Sequence, residues 1–223
     1  MHLNSQLLFQ KYGLPYFKDN IKVLEIAPSN FPSPYENLVN NKTIQWDTID
    51  FVDSDFVDPS AINNLTYQLK SLYEFPVEND TYDIIVSGQV LEHVEKIWLW
   101  MQELKRIVKK NGNIITINPI SWPYHEAPID CWRAYPKGIQ ALADESGLGV
   151  ELCLFESLEA NQVLERDPRS KTIPGKSYTY FVNPQKTNAI IKWNRFIRNI
   201  PRLKHYLEIP IEVAYDTISV LMK

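Results

Sequence analysis

Residues 82–94 read Tyr-Asp-Ile-Ile-Val-Ser-Gly-Gln-Val-Leu-Glu-His-Val. This stretch gives the strongest indication of the fold class. Its first half, residues 82–87, is a nearly continuous apolar run, which is typical of a strand buried on both faces of a parallel sheet. From Val90 onward, apolar residues recur at steps of three and four, and Asn111-Gly112 closes the pattern. The stretch therefore predicts a buried strand followed by an amphipathic helix over residues 90–110.

Strands and helices alternate on both sides of this unit. Further predicted strands cover residues 21–27, 44–51, 113–118 and 177–182, and further predicted helices cover residues 58–65 and 136–146. The boundaries of the last helix are indicated by Pro136 at its start and by Gly147 just beyond its end. Alternation of this kind indicates βαβ units. We therefore expect an α/β fold, a Rossmann-like three-layer sandwich with a mostly parallel sheet and an antiparallel terminal strand.

The composition shifts after Pro184, which predicts one domain over residues 1–183 and a helical C-terminal extension over residues 184–223. Residues 185–205 contain six Lys or Arg and no Asp or Glu, with apolar residues such as Trp193 and Phe196 among them. A basic amphipathic helix of this kind can lie on an anionic membrane surface, although more often it packs on its own domain or on a second subunit. Peripheral membrane contact and a homodimer are both left open.

Overall composition excludes several classes of protein. The 223 residues are 44% hydrophobic and 22% charged with a net charge of −4, which fits a globular protein and speaks against a nucleic-acid partner. Cys131 and Cys153 lack CxxC spacing, and we see neither a secretory leader nor a long apolar span, so we expect a cytoplasmic protein. No glycine lies between Gly13 and Gly88, so a pyrophosphate-binding glycine loop is not expected.

Ligands of such sheets bind outside the carboxyl ends of the strands, near the point where strand order reverses. The question of function therefore reduces to four segments that follow predicted strands. These segments are residues 27–34, 50–53, 87–93 and 118–133.

Three of those segments carry motifs. Val-Leu-Glu-Ile-Ala-Pro-Ser at residues 23–29 is followed by Asp-Thr-Ile-Asp at 47–50, and then by the 75–94 stretch Phe-Pro-Val-Glu-Asn-Asp-Thr-Tyr-Asp-Ile-Ile-Val-Ser-Gly-Gln-Val-Leu-Glu-His-Val. The chain resembles, over about residues 20–150, the class I S-adenosylmethionine-dependent methyltransferases, and in particular their small-molecule, type 11 branch. Its first motif departs from the usual Gly-x-Gly-x-Gly, because Ala27, Ser29 and Phe31 stand at the glycine positions.

The resemblance implies S-adenosylmethionine as the cofactor, S-adenosylhomocysteine as the product, and a set of cofactor-binding residues. That set is Glu25, Ala27, Pro28, Ser29, Asp50, Ser71, Leu72, Ser87 and Gln89. Asp47 and Asp53 rival Asp50 as the ribose-binding acid, and the alternative role for Glu25 is to cap the next helix. Since S-adenosylmethionine has no phosphate, a proline-rich loop with small Ala27 and Ser29 can replace a glycine loop.

The long segment 118–135 is the candidate acceptor site, because long loops at strand ends commonly carry function. We predict His125 as a general base, with Asp130 as its partner or as a ligand of the acceptor hydroxyl. Trp122, Tyr124 and Arg133 are the candidate substrate-binding residues, and Arg133 could equally clamp the loop. A single His-Glu pair, His125 and Glu126, does not predict a metal.

Glu92 and His93 are expected to open the long helix. An acid at a helix N-terminus needs no function, whereas His93 is a further catalytic candidate besides its more ordinary packing role.

The branch that the chain resembles often occurs in polysaccharide and natural-product biosynthesis, so the resemblance implies an enzyme that methylates oxygen on a sugar or another small polar acceptor. A methyltransferase of small-molecule amines or carboxylates is the alternative within the enzyme class. A protein that keeps the fold as a binding or scaffold module without cofactor is the alternative outside it. A nicotinamide-dependent enzyme is a distant third possibility, because it would need phosphate-cradling glycines.

Overall fold

The structure of the chain is a computed structural model that describes residues 3–51, 63–122, 124–126, 129–158, 162–166, 192–193, 196 and 214–223. Within these residues, eight strands belong to one sheet. They are β1 Lys22–Ile26, β2 Gln45–Phe51, β3 Tyr67–Leu69, β4 Tyr82–Gly88, β5 Val108–Pro119, β6 Gly149–Ser157, β7 Gln162–Arg166 and β8 Asp216–Met222. The helices are α1 Leu3–Leu8, α2 Pro34–Val39, α3 Ile97–Ile107 and α4 Pro136–Ser146, with shorter turns at Phe9–Gly13, Leu14–Tyr16 and Leu91–His93.

The strand order is β3-β2-β1-β4-β5-β8-β6-β7. The first five strands are parallel, whereas β8 pairs antiparallel with both β5 and β6, and β7 pairs antiparallel with β6. The expected mostly parallel sheet with an antiparallel end is therefore confirmed. Strand order reverses between β1 and β4, so the ends of these two strands define the ligand edge.

Two apolar cores lie on opposite faces of the sheet, which confirms the three-layer arrangement. One core joins the sheet to α3 and α4 through residues such as Met101 and Ile139. The other joins it to α1 and α2 through Leu8 and Tyr35. Side chains alternate along β1 accordingly, so Val23 belongs to one core and Leu24 to the other.

Helices α2 and α4 begin and end at the expected kinds of residue. Ser33 caps α2, since its Oγ accepts a hydrogen bond of 3.0 Å from the Glu36 amide, and Pro34 follows at the first helical position. Helix α4 begins at Pro136 as predicted and ends at Gly147, whose φ of 65° suits glycine.

The prediction of one long helix over residues 90–110 is wrong at both ends. Residues Leu91–His93 form a separate 3₁₀ turn, α3 begins only at Ile97, and β5 already begins at Val108. Val94 is extended, with φ −103° and ψ 113°, so the helical path is interrupted between the turn and α3. Glu92 and His93 therefore lie on a short turn at the end of β4 and do not open the long helix.

The C-terminal residues also differ from expectation. Residues 216–222 fall within the predicted helical extension, yet they form β8, which lies between β5 and β6. Residues 216–221 of this strand are buried. The physical reason is the near-continuous apolar and β-branched run Thr217–Leu221, which suits a central strand. The predicted strand 177–182 lies outside the described residues, as does the helix 58–65 apart from residues 63–65, of which the first two form a turn.

No helix in the described part of the chain combines the length and the apolar character needed to cross a bilayer.

Candidate active site at the carboxyl edge of the sheet

The ends of β1 and β4 share an unusual backbone conformation. Ala27 follows β1 with φ 52°, and Gln89 follows β4 with φ 60°, both in the left-handed region that side-chain-bearing residues rarely adopt. Each amide is held by the neighbouring strand, Ala27 N by Ile49 O at 2.8 Å and Gln89 N by Ile117 O at 2.7 Å. Non-glycine residues held in this region concentrate at functional sites, because the strain must be supported by the surrounding fold.

Glu25 is buried in β1 on the face that carries α2. Its Oε2 accepts hydrogen bonds from Ser33 Oγ at 2.5 Å and from Trp46 Nε1 at 2.9 Å. Burial raises the pKa of Glu25 to about 7, against the lowering effect of the Ser33 and Trp46 hydrogen bonds, and nearby Glu36 raises it further. Glu25 therefore braces the cap of α2, which is the alternative role that the sequence left open.

The loop after β1 is proline-rich, as expected. Ala27 is half-buried, Pro28 is buried and Ser29 is exposed, and the Phe31-Pro32 peptide is cis. The loop ends at Ser33, so it spans the distance from the β1 end to the start of α2.

The two aspartates of β2 that are candidates for binding the ribose differ in position and in contacts. Asp50 lies near the carboxyl end of β2, half-buried, and burial raises its pKa despite the hydrogen bond from the Phe51 amide. Asp47 is buried further back and accepts a hydrogen bond of 2.8 Å from Tyr82 Oη, and Lys22 Nζ lies 3.4 Å from it. Asp47 is therefore occupied structurally, while Asp53 lies outside the described residues.

Ser71 and Leu72 follow β3 and are half-buried. The Ser71 hydroxyl accepts a hydrogen bond of 3.2 Å from the Tyr73 amide, and Leu72 packs against the core on the α3 face. The described hydrogen bond of Ser71 is thus a local one, and Leu72 has a packing role.

At the end of β4, Gly88 meets Tyr35 of α2, and Gln89, the next residue, meets Ser5 of α1. A Cβ on Gly88 would lie 2.1 Å from Tyr35 Oη, so only glycine allows this tyrosine to reach the strand. Ser87 Oγ, Tyr35 Oη and Gln89 Oε1 are buried and have no hydrogen-bond partner among the described residues. Buried polar atoms are normally satisfied, so such a group at a strand end is expected where a polar ligand binds.

A polar network that the sequence does not predict joins this edge to the N-terminal helix. Gln89 Nε2 donates to Ser5 Oγ at 2.8 Å and to Asp216 Oδ1 at 3.1 Å, and Asn4 Nδ2 donates to Asp216 Oδ2 at 2.7 Å. All of these residues except Gln89 are fully buried. The strand character of residues 216–222 is the signal that could have found Asp216, because it places the acid beside Pro119 at the end of β5.

The segment after β5 is organised by Asp130 and Arg133. Arg133 Nη1 and Nη2 donate to the two carboxylate oxygens of Asp130 at 2.5 and 2.7 Å, and they also reach Trp132 O at 2.8 Å and Trp122 O at 3.3 Å. The Arg133 guanidinium lowers the pKa of Asp130 to about 2. A bidentate contact of this kind is strong and directional. In the described contacts, Arg133 clamps the loop.

His125 is held by the same carboxylate. Its amide donates to Asp130 Oδ2 at 2.8 Å, and its Nδ1 lies 3.4 Å from that oxygen. The His125 and His93 rings meet edge to face at a centroid distance of 5.0 Å. The structure therefore brings together His93, His125, Asp130 and Arg133, which come from two different strand ends.

Glu92 and His93 project from the turn after β4. His93 Nδ1 lies 2.5 Å from Ile129 O, and the Cys131 amide donates to Glu92 O at 2.7 Å, so the turn and the loop are tied together. Burial lowers the pKa of His93 and raises that of Glu92 to about 8. The sequence predicts only helix chemistry for Glu92, whereas the structure buries its carboxylate completely beside two histidines.

Trp122 and Tyr124 are exposed at the mouth of this region, and the Tyr124 hydroxyl donates to the Glu126 carboxylate. A cleft of about 320 Å³ lies beside them. Its lining residues are Trp122, Tyr124, Asp130, Cys131, Trp132 and Arg133. That volume falls in the range of small-ligand sites, and exposed aromatic faces beside polar groups suit a polar ring.

The residues present fit the cofactor that the motifs imply. Ala27 and Ser29 have small side chains beside the β1 end, and Asp50 offers a carboxylate at the β2 end. Ser87 and Gln89 present polar atoms at the β4 end that have no hydrogen-bond partner among the described residues. These positions lie along three adjacent strand ends at the reversal of strand order, where such ligands bind. S-adenosylmethionine carries polar groups at both ends, so this spread of polar positions suits it.

The expectation of membrane or subunit contact concerns residues 185–205, of which the structure describes only Lys192, Trp193 and Phe196. The Trp193 and Phe196 rings lie 6.3 Å apart, and both are exposed.

Comparisons with known proteins agree with this fold. The family model of a methyltransferase domain, type 11, matches residues 42–116. An uncharacterized methyltransferase of Schizosaccharomyces pombe is 38% identical over 53 residues, a match that covers 24% of this chain and 19% of that protein. The match thus spans about a fifth of the length of that curated relative.

Two solved structures share the architecture. A SAM-dependent methyltransferase from Archaeoglobus fulgidus superposes with a TM-score of 0.57 at 15% identity, covering 98% of this chain and 92% of that one. Phosphoethanolamine N-methyltransferase 2 of Haemonchus contortus, solved in complex with S-adenosyl-L-methionine, superposes with a TM-score of 0.55 at 10% identity, covering 99% of this chain and 52% of that one. At these identities the likeness shows the fold alone.

The motifs in the sequence, the type 11 methyltransferase model matched by residues 42–116 and the order of strands agree with one another, and they confirm the resemblance of this chain to the class I S-adenosylmethionine-dependent methyltransferases.

Proposed function

We propose that this protein transfers a methyl group from S-adenosylmethionine to a hydroxyl group of a small polar acceptor, foremost a sugar, in polysaccharide or natural-product biosynthesis. The observation that carries the proposal is the His125 imidazole, placed beside His93 and held through Nδ1 near the Asp130 carboxylate. An alcohol acceptor has a pKa far above 7, so its methylation gains from a general base, whereas an amine acceptor needs one less.

The chain's residues divide the work between cofactor and acceptor. Asp50 is proposed to bind the ribose hydroxyls, and Ala27, Pro28 and Ser29 to lie along the methionine part, with Glu25 supporting that loop through Ser33. Ser71, Leu72, Ser87 and Gln89 are proposed to line the remainder of the cofactor site. Bound S-adenosylmethionine supplies a methyl group on a positive sulfonium and leaves as S-adenosylhomocysteine.

At the acceptor, His125 removes the hydroxyl proton at Nε2 as the oxygen attacks. Nδ1 faces Asp130, whose negative charge favours the imidazolium that results, and Arg133 keeps Asp130 ionised. Trp122 and Tyr124 orient the acceptor ring at the mouth of the cleft. Most of the rate gain is expected from alignment, because the methyl group is already activated.

The proposal is tested first by calorimetry with S-adenosylhomocysteine and then by methyl transfer to a panel of sugars, amines and carboxylates. We expect saturable binding that Asp50→Asn weakens about tenfold, the loss of one good hydrogen bond to a charged group. Asp80→Asn is the matched control, because Asp80 is exposed and bonded to Lys223. Absence of saturable binding at millimolar ligand would support the scaffold alternative, and transfer to amines alone would refute O-methylation.

We further place the reaction in the cytoplasm, with a small-molecule acceptor and no nucleic-acid partner. The net charge of −4 and the two cysteines without CxxC spacing support this placement. Contact with a membrane or with a second copy of the chain through residues 185–205 rests on the basic, aromatic composition of that segment.

A further inference from the structure

The Glu92 carboxylate is buried and, among the described residues, accepts no hydrogen bond. The residue is 0% exposed, and neither of its oxygens has a hydrogen-bond partner among the described residues. An unpaired buried carboxylate is costly, so such a group normally neutralises, pairs with a cation or coordinates a metal. The Glu92 carboxylate is thus a candidate for binding a cation.

Two histidines face this carboxylate. Nε2 of His93 lies 3.7 Å from Glu92 Oε1, and one ligand atom from each of Glu92, His93 and His125 lies within 4.8 Å of the others. Ligand atoms held at 2.0–2.2 Å from a tetrahedral zinc ion stand about 3.3–3.6 Å apart. Side-chain shifts of about 1 Å at the widest pair would therefore close the three groups around one cation.

The far sides of both imidazoles are already held. His93 Nδ1 contacts Ile129 O at 2.5 Å, and His125 Nδ1 lies 3.4 Å from Asp130 Oδ2. Histidines that bind metals almost always donate the second ring N–H to a carbonyl or a carboxylate, which fixes the tautomer and orients the ring. Both histidines of the cluster have such an outer contact, and Arg133 in turn fixes Asp130.

Local charge also favours a cation. Asp130 and Asp216 add negative charge near Glu92, while Arg133, the cation that offsets it, directs its hydrogen bonds to Asp130 and to the carbonyls of Trp132 and Trp122. Three carboxylates, those of Glu92, Asp130 and Asp216, therefore lie near the one guanidinium of Arg133.

We propose that Glu92, His93 and His125 bind one divalent transition-metal ion of borderline softness, such as Zn²⁺, through one carboxylate oxygen and two imidazole nitrogens. A two-histidine, one-carboxylate set leaves coordination positions open for a substrate oxygen. A coordinated hydroxyl is acidified by the metal, which is the task that the proposed function gives to free His125. Metal binding itself does not depend on the proposed function, whereas this use of the metal rests on it.

The test is titration of the chelator-treated, desalted full chain with Zn²⁺ by calorimetry and with Co²⁺ by visible absorption. We expect one equivalent to bind, and we expect Glu92→Gln and His93→Ala each to weaken binding at least tenfold. Glu78→Gln is the matched control, since it removes the same charge from an exposed turn before β4 and should leave binding unchanged.

Folding is monitored in parallel by thermal unfolding with and without Zn²⁺. A ligand that binds only the folded chain raises the melting temperature, so Zn²⁺ should stabilise wild type and Glu78→Gln but not Glu92→Gln. Glu92→Gln should itself fold well, because it removes a buried charge at constant shape. The proposal is overturned if wild type binds no Zn²⁺, or if Glu92→Gln and His93→Ala bind it as wild type does.

Failure of this inference differs visibly from failure of the proposed function. A chain that binds S-adenosylhomocysteine and methylates a hydroxyl without binding Zn²⁺ overturns only the metal site. A chain that binds Zn²⁺ at these residues but no S-adenosylhomocysteine overturns only the methyl-transfer function.

Discussion

The His93 and His125 rings meet edge to face with their centroids 5.0 Å apart. His93 lies on the turn after β4, and His125 lies on the loop after β5, and these strands are parallel neighbours. Because parallel neighbours end at the same edge, the loops that follow them converge there. The pairing places two imidazoles beside the buried Glu92 carboxylate, at the point where the acceptor is proposed to bind.

Replacing His125 tests the chemistry most directly. We expect His125→Ala to reduce turnover by about 10²–10⁴-fold, which is the usual contribution of a general base, because the proposed function assigns that proton to His125. Affinity for S-adenosylhomocysteine should stay unchanged in the same preparation. Initial rates of methyl transfer and calorimetry measure the two quantities. Glu126→Gln, one residue away and exposed, should keep wild-type turnover, and unchanged turnover in His125→Ala would contradict the base role.

Gly88 and Tyr35 are expected to be coupled in stability. Gly88→Ala places a Cβ 2.1 Å from Tyr35 Oη and should cost about 1–3 kcal/mol. Tyr35→Phe should be neutral or stabilising in the ligand-free chain, since it removes a buried hydroxyl that has no hydrogen-bond partner among the described residues. It should relieve part of the cost of Gly88→Ala, because the ring atoms Cε2 and Cζ would still lie 2.6 and 2.7 Å from the added Cβ. Urea unfolding of the double-mutant cycle measures this coupling.

Gly138 supplies the control for that cycle. It lies in α4, and a Cβ added there would meet nothing within 4 Å, so Gly138→Ala should stabilise by about 0.5–1 kcal/mol through helix propensity. Additive effects of Gly88→Ala and Tyr35→Phe would refute the steric explanation.

Replacing Ala27 by glycine should increase the stability of the ligand-free chain. Its φ of 52° is strained for a residue with a Cβ, so Ala27→Gly should stabilise the ligand-free chain by about 1 kcal/mol. Ala141→Gly, at an exposed position within α4, should instead lose about 0.5–1 kcal/mol. Chemical unfolding of both variants checks the contrast, and a loss of stability in Ala27→Gly would argue against the strained backbone.

Glu25 should make stability depend on pH. Its pKa is raised from 4.5 to about 7 on folding, so between these values the folded chain keeps a proton that the unfolded chain releases. Rising pH therefore favours unfolding across this window, and the contribution of Glu25 to stability falls by up to about 3 kcal/mol between pH 4.5 and 7.

Glu25→Gln should remove this dependence, because its amide oxygen can still accept from Ser33 and Trp46 and carries no charge. Urea unfolding of both proteins at pH 5 and pH 8, without cofactor, measures the effect. We expect the variant to gain on wild type as pH rises, and parallel stability curves for the two proteins would show that Glu25 does not titrate in this range.

The sequence by itself determined the alternation of elements and the motif that follows β4. Apolar runs and helical periodicity are local signals, so the amino-acid pattern alone predicts β1, β2, β4 and α4 close to where they lie, and it predicts the second half of β5. For the same reason, the pattern assigns Asp50 to a strand end and singles out the loop after β5.

Only the tertiary structure decided which of those residues meet. The position of β8 between β5 and β6, and with it the network of Asp216, Asn4 and Gln89, depends on pairing between distant segments. Full burial of Glu92 depends on an interruption of the helix at Val94. The sequence has no glycine or proline at Val94 from which this interruption could be predicted. Long-range packing sets these features, because burial and charge proximity are properties of the assembled edge and not of any one segment.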